Sequence, residues 1–174
     1  MSLNLDTDEK VVFEVRKHWF VLFTKGLFAL FIILVPLVLY AVLISLKIEI
    51  NMPGNVTAFL CFIYGIIIML TWILLFYWWT DYYLDVWVIT NKKLIAIEQV
   101  GLFGRQISTL HFSKVQDVSS DIMGIVATFM KFGNVEVQTA AEEDNFVIKQ
   151  VAGPDNVRTK INEVLSAYHE EHGF

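Results

Sequence analysis

Two stretches of the chain carry no charged residue: 26–46 (GLFALFIILVPLVLYAVLISL, 21 positions) and 56–80 (VTAFLCFIYGIIIMLTWILLFYWWT, 25 positions). At the rise of an α-helix they reach about 31 and 37 Å, enough for a hydrocarbon core of roughly 30 Å, the second with some tilt. The pattern predicts two transmembrane helices. The first is too long for a signal-peptide core, lacks a small-residue cleavage site, and is followed at once by the second, so it does not read as a cleaved leader. Pro36, near its middle, is expected to kink the helix because its ring removes one backbone hydrogen bond. Residues 47–55 (KIEINMPGN) are the whole connection, with Pro53 and Gly54 marking a turn. The two helices therefore form an antiparallel hairpin with both chain ends on one side.

Beyond residue 80 the grammar changes. Residues 82–90 (YYLDVWVIT) are aromatic and β-branched and predict a strand leaving the membrane. A short turn at 91–93 leads to a second strand at 94–100, and a turn at 101–105 (GLFGR) to a third at 106–112 (QISTLHF). A short strand follows at 115–119; the apolar spacing of 121–131 fits a short helix and a bulged loop equally. Alternation at 134–140 places Val135 and Val137 inward, and a polar turn at 141–145 leads to a last strand at 146–151. The final element is helical: Gly153 suits the cap, Pro154 the first turn and Asp155 the positive end of the dipole. Val157, Ile161, Val164, Leu165 and Tyr168 then form one apolar stripe, which must be buried against the sheet. Three parts follow: an N-terminal segment 1–25, a transmembrane hairpin 26–80, and an α+β domain 81–174 of about six antiparallel strands closed by one amphipathic helix.

Several local motifs occur in a particular order. They are Arg16-Lys17-His18-Trp19 entering the first span, Asp81-Tyr82-Tyr83 leaving the second, Ile89-Thr90-Asn91-Lys92-Lys93-Leu94, Ser113-Lys114-Val115-Gln116-Asp117-Val118, and Phe132-Gly133-Asn134-Val135-Glu136-Val137. In this order they resemble the bacterial pleckstrin-homology-like (YdbS-like) membrane proteins over nearly the whole chain. The resemblance implies a PH-like fold, a bent antiparallel sheet of six to seven strands capped by the final helix, and no catalytic centre. Residues 10–15 (KVVFEV) fit either a seventh strand or a lead-in to the first membrane helix.

Composition agrees with a membrane protein: of 174 residues 56% are hydrophobic and 18% charged, against about 25% charged in soluble domains. A net charge of −5 argues against a nucleic-acid partner, and a lone Cys61 excludes a disulfide framework or a multi-thiolate zinc site. Lys10, Arg16, Lys17 and Lys25 precede the first span and Lys92 and Lys93 follow the second, while the connecting loop has only Lys47. The positive-inside bias thus predicts a multi-pass protein of the cell membrane with both termini cytoplasmic. Arg16, Lys17, Trp19, Trp78, Trp79, Tyr82 and Tyr83 are the expected interface anchors.

Candidate chemistry is sparse. The spans contain no Asp, Glu, Lys, Arg or His, which a transport path or proton relay would use. Of four histidines, His18 reads as an interface residue, His111 as a strand residue, and His169 and His172 as solvated helix positions. No nucleophile elbow, phosphate loop or metalloprotease motif occurs. The expectation is a non-enzyme without cofactor or metal. Charge is the better guide: residues 86–116 carry net +3, from Lys92, Lys93, Arg105 and Lys114 against Glu98, whereas 117–174 carry net −6. Those four cations are candidate contacts to lipid or to a partner. The expected function is an anchored interaction or scaffold module at the cytoplasmic face, binding a membrane or cytoplasmic protein or a second copy. The alternative is a domain that senses anionic lipid through its basic turns.

Overall fold

A computed structural model describes residues 9–47, 54–101, 104–139 and 146–172. The expected turns at Leu102-Phe103 and 141–145, and most of the loop between the apolar helices, lie outside the described residues. The chain divides into two compact units: Leu22–Thr80, and the residues up to 21 together with those from 81 onward.

The first unit is made of two helices, each long and apolar enough to cross a membrane. Helix α1 spans Trp19–Ser45 with Pro36 inside it, and α2 spans Val56–Leu84. Side chains such as Phe31, Val38, Phe62 and Trp72 are exposed around both helices. A helix that is apolar on every side needs an apolar surround. Contact between the two is local: the Tyr64 hydroxyl donates to Ile33 O at 3.4 Å, and the Phe28 and Trp78 rings lie 6.2 Å apart.

Among the described residues, the second unit holds seven strands. β1 (Val11–Arg16) precedes the apolar helices in sequence; β2 (Val86–Thr90), β3 (Lys93–Val100), β4 (Gly104–His111), β5 (Val115–Asp121), β6 (Phe132–Thr139) and β7 (Phe146–Ala152) follow them. Residues 10–15 thus supply a strand. Its register on β2 runs from Val11 opposite Thr90 to Arg16 opposite Val86, and Val15 enters the core.

The expected single bent sheet is corrected to two antiparallel sheets, β1-β2-β3-β4 and β5-β6-β7. The break has a local cause. After β4 a 3₁₀ turn, Phe112–Lys114, redirects the chain and drives the fully buried Phe112 ring between the sheets, so β5 starts a new ladder. The sheets meet at another corner, where Lys17 bridges Val151. The expected strand at 82–90 is also corrected: α2 remains helical to Leu84, with Asp85 N donating to Asp81 O at 3.3 Å, and β2 begins only at Val86.

Between β5 and β6 the ambiguous segment is a short helix, α3 (Ile125–Met130). The last helix, α4 (Pro154–His172), lays Ile161 into the core with Val157, Val164, Leu165 and Tyr168 beside it. Tyr168 meets Phe112 edge-on at 5.7 Å. At about 25 cal/mol per Å² of apolar area, burial of such side chains is the main stabilising term of this unit.

Candidate functional site

Several polar side chains converge at the corner where β1 passes into α1, and α2 into β2. Asp81, in the last turn of α2, and Asp85, the residue just past its end, are four positions apart, so both carboxylates point the same way. Lys17, just past β1, lies between them: its ammonium is 3.3 Å from Asp81 Oδ2 and 2.5 Å from Asp85 Oδ2. Asp85 Oδ1 in turn accepts the Gln99 N–H at 2.7 Å, tying β3 to the same group. Burial alone pushes the Lys17 amine down. The hydrogen bonds and opposite charges of Asp85 and Asp81 outweigh it, and the net displacement is above the ordinary value of 10.5.

His18 follows as the residue before the helix. The Nδ1 of its ring accepts the Phe20 backbone N–H at 3.1 Å and so caps the start of α1, while the His18 backbone N–H donates to Gln150 O at 2.7 Å. That carbonyl is aimed by a bulge: Gln150 sits at φ 56° where the β6–β7 register shifts between Gly133 and Val135. The imidazole stacks on Phe132 at 5.6 Å, and Phe20 approaches the same ring at 5.8 Å. Trp19 lies beside His18 at 5.6 Å with its indole largely exposed.

The expected basic cluster is dispersed. Lys93 turns inward, and its Nζ meets Glu9 Oε2 at 2.8 Å, with no part of the Glu9 side chain exposed. Thr90 organises the same turn: its hydroxyl accepts from Lys92 N at 3.2 Å and Lys93 N at 3.0 Å and donates to Lys93 O at 2.9 Å. Asn91 completes it, accepting the Lys10 N–H on its side chain at 3.0 Å and donating its own N–H to Lys10 O at 3.1 Å. The Ile89–Leu94 motif is a clasp on the N-terminal strand. Lys92 is half-buried on the turn.

Arg105 belongs to the opposite end of the hairpin, paired with Gln99, whereas Lys93 pairs with His111. Six strand positions separate them, about 20 Å. The Arg105 end of the sheet is the one where the chain leaves from Arg16 and returns at Val86; the Lys92 end is remote from it. Lys114 is exposed and lines a cleft of about 450 Å³ between the β3–β4 and β6–β7 ladders, where Lys149 and Glu98 also lie. Among the anchors, Arg16 is exposed and 3.6 Å from Glu14; Trp79 and Tyr83 are exposed, and Trp78 and Tyr82 half-buried. Elsewhere on the β-rich unit, α4 and β5 carry Asp117, Glu163 and Glu170 along a shallow cleft with Arg158 and Asn162. Among the described residues no group of three or more His, Cys, Asp or Glu is placed to hold a metal ion.

Glu9, Asp85, Thr90 and Phe132 take parts that sequence reasoning missed. Thr90 and Phe132 lay within motifs noted from sequence without a role, and for Asp85 the signal was its spacing of four from Asp81 at the end of an apolar helix, where an unpaired carboxylate would be costly.

No family model matches the chain, and no curated protein matches it. Among solved structures it is similar to a DUF1696-family protein with a pleckstrin-homology domain from Shewanella loihica PV-4, at 21% identity and a TM-score of 0.37 over 48% of this chain and 69% of that one. A pleckstrin homology domain from Shewanella amazonensis SB2B is similar at 19% identity and a TM-score of 0.37, over 48% of this chain and 65% of that one.

Proposed function

We propose that the chain is a non-catalytic, membrane-anchored PH-like module that works at the cytoplasmic membrane face by binding a protein partner or a second copy. One observation carries the reading: the apolar hairpin is itself the connection between the paired strands β1 and β2. The β-rich unit is thereby tethered through two adjacent strand ends, and the Lys17–Asp81–Asp85 network braces that tether. Such a unit is held at a surface and cannot diffuse from it. The α4–β5 face, with Asp117, Glu163 and Glu170, is the acidic surface offered to partners.

The test is photo-crosslinking in intact cells from single positions Glu163, Ser166 and Glu170 on α4, with protease applied outside sealed cells as the topology control. A discrete adduct from these positions, with residues 81–174 protected, is expected. Digestion of that region from outside, or the absence of any adduct from α4, refutes the reading. So does a substrate turnover that one side-chain substitution abolishes.

A further inference from the structure

Among the described residues of the β-rich unit, helix α3 and the residues leading into it stand out. Over Ile122–Met130 there is no charged residue, and the large side chains point outward: Ile125 is 90% exposed, Phe129 84%, Met123 78% and Val126 54%. Only Ala127 is buried, a small residue that lets the helix lie close to β6. Lone exposed apolar residues are ordinary, but four together on one short knob call for a partner.

The position of the knob identifies that partner. α3 ends at Lys131, which adopts φ 55° and whose carbonyl accepts the Gly153 N–H at 2.9 Å; Phe132 follows directly. Phe132 is the ring on which His18 and Phe20 pack, at the residues where the chain enters α1. The knob is therefore continuous, through Phe132, with the exposed Trp19 indole and the first turn of an apolar helix. Exposed aromatic rings and a lysine at the edge of an uncharged apolar patch are the composition of a membrane-interface element. A second copy fits less well, since a stable protein interface buries roughly 800 Å² per partner and the short segment 123–129 presents only four large exposed side chains.

We infer that α3 is a membrane-inserting wedge: Met123, Ile125, Val126 and Phe129 enter the headgroup–acyl boundary of the same bilayer that α1 enters, to a depth of roughly 5–10 Å. This rests on the membrane reading of α1 and α2. The wedge gives the β-rich unit a third attachment besides its two chain connections, and so sets its tilt on the surface.

The experiment uses the full chain with Cys61→Ala, reconstituted at one copy per lipid nanodisc of mixed neutral and anionic phospholipid. Nitroxide labels go singly at Phe129→Cys, Ile125→Cys, Asn162→Cys on the exposed face of α4, and Met69→Cys within α2. Collision with oxygen and with a water-soluble nickel chelate is measured at each. The expected oxygen-to-nickel ratio at Phe129 and Ile125 is several-fold above that at Asn162 and approaches that at Met69. Ratios at both α3 sites equal to Asn162, with Met69 still lipid-like, overturn the wedge and leave the membrane reading standing. A water-like Met69 overturns both. Protection of α3 that appears only with several copies per disc, accompanied by label–label dipolar broadening, assigns the knob to a second copy and also overturns the wedge.

Discussion

Lys92 and Lys93 are neighbours with the same charge and opposite situations. Lys93 meets a carboxylate that is wholly buried, whereas Lys92 stays half-buried on the turn. Removing one member of a buried pair strands the other charge, at a cost of about 3–5 kcal/mol, while an isolated surface cation matters by about 0.5 kcal/mol or less. Lys93→Gln should therefore lower the thermal unfolding midpoint of the purified protein sharply and Lys92→Gln hardly at all, as followed by near-UV circular dichroism; equal effects would contradict the buried pair. Lys17 gives a pH-dependent counterpart. Its amine titrates above 10.5 in the folded chain, so the folded state holds this proton more tightly than the unfolded one does. The stability from Lys17 is then complete below the unfolded value and is lost as pH rises through the folded one. Unfolding midpoints should show a decline above pH ~10.5 that is smaller in Lys17→Met. An identical alkaline decline in the two proteins would remove Lys17 from the account.

Elements were legible where a single period ran unbroken. The two apolar helices, the β3–β4 hairpin, the Val135/Val137 alternation and the stripe of α4 all follow from local spacing, because burial on one face repeats every 2 or 3.6 residues whatever the rest of the chain does. Their ends were less legible. α2 runs on through Asp81-Tyr82-Tyr83-Leu84, residues of strand-like composition, because its continued helix brings Asp81 and Asp85 to Lys17; that partner is 64 residues away from Asp81 in sequence. The same reason hid the inward turn of Lys93, since nothing local marks Glu9 as its partner. β1 was ambiguous because six mostly apolar residues, KVVFEV, with no clear period fit a strand and a helix lead-in alike. Its pairing with β2 is settled by hydrogen bonds across the intervening hairpin. The basic turns, grouped by sequence, are separated by the strand length between Lys93 and Arg105, which charge counting along the chain does not register.

At the scale of the molecule, the sequence suggests a hairpin followed by a domain, whereas the β-rich unit is assembled from both sides of the hairpin. β1 contributes Val15 to the core, Lys17 to the corner network and an edge to β2, and the preceding Glu9 neutralises Lys93. A fragment that starts at Asp81 lacks all four. It would expose the hydrogen-bonding edge of β2, leave Lys93 without Glu9 and remove Lys17 from the two aspartates, penalties of several kcal/mol against a typical domain stability of about 5–15 kcal/mol. The fragment 81–174 should therefore be aggregated or unfolded. Joining residues 1–21 to 81–174 through a Gly/Ser linker of about ten residues, whose root-mean-square span is about 17 Å, should restore a folded unit. Dispersed amide resonances from the joined chain and collapsed ones from the fragment are the expected nuclear magnetic resonance spectra. A well-folded fragment would show that β1 is dispensable, and the two-strand tether would then lose its structural basis.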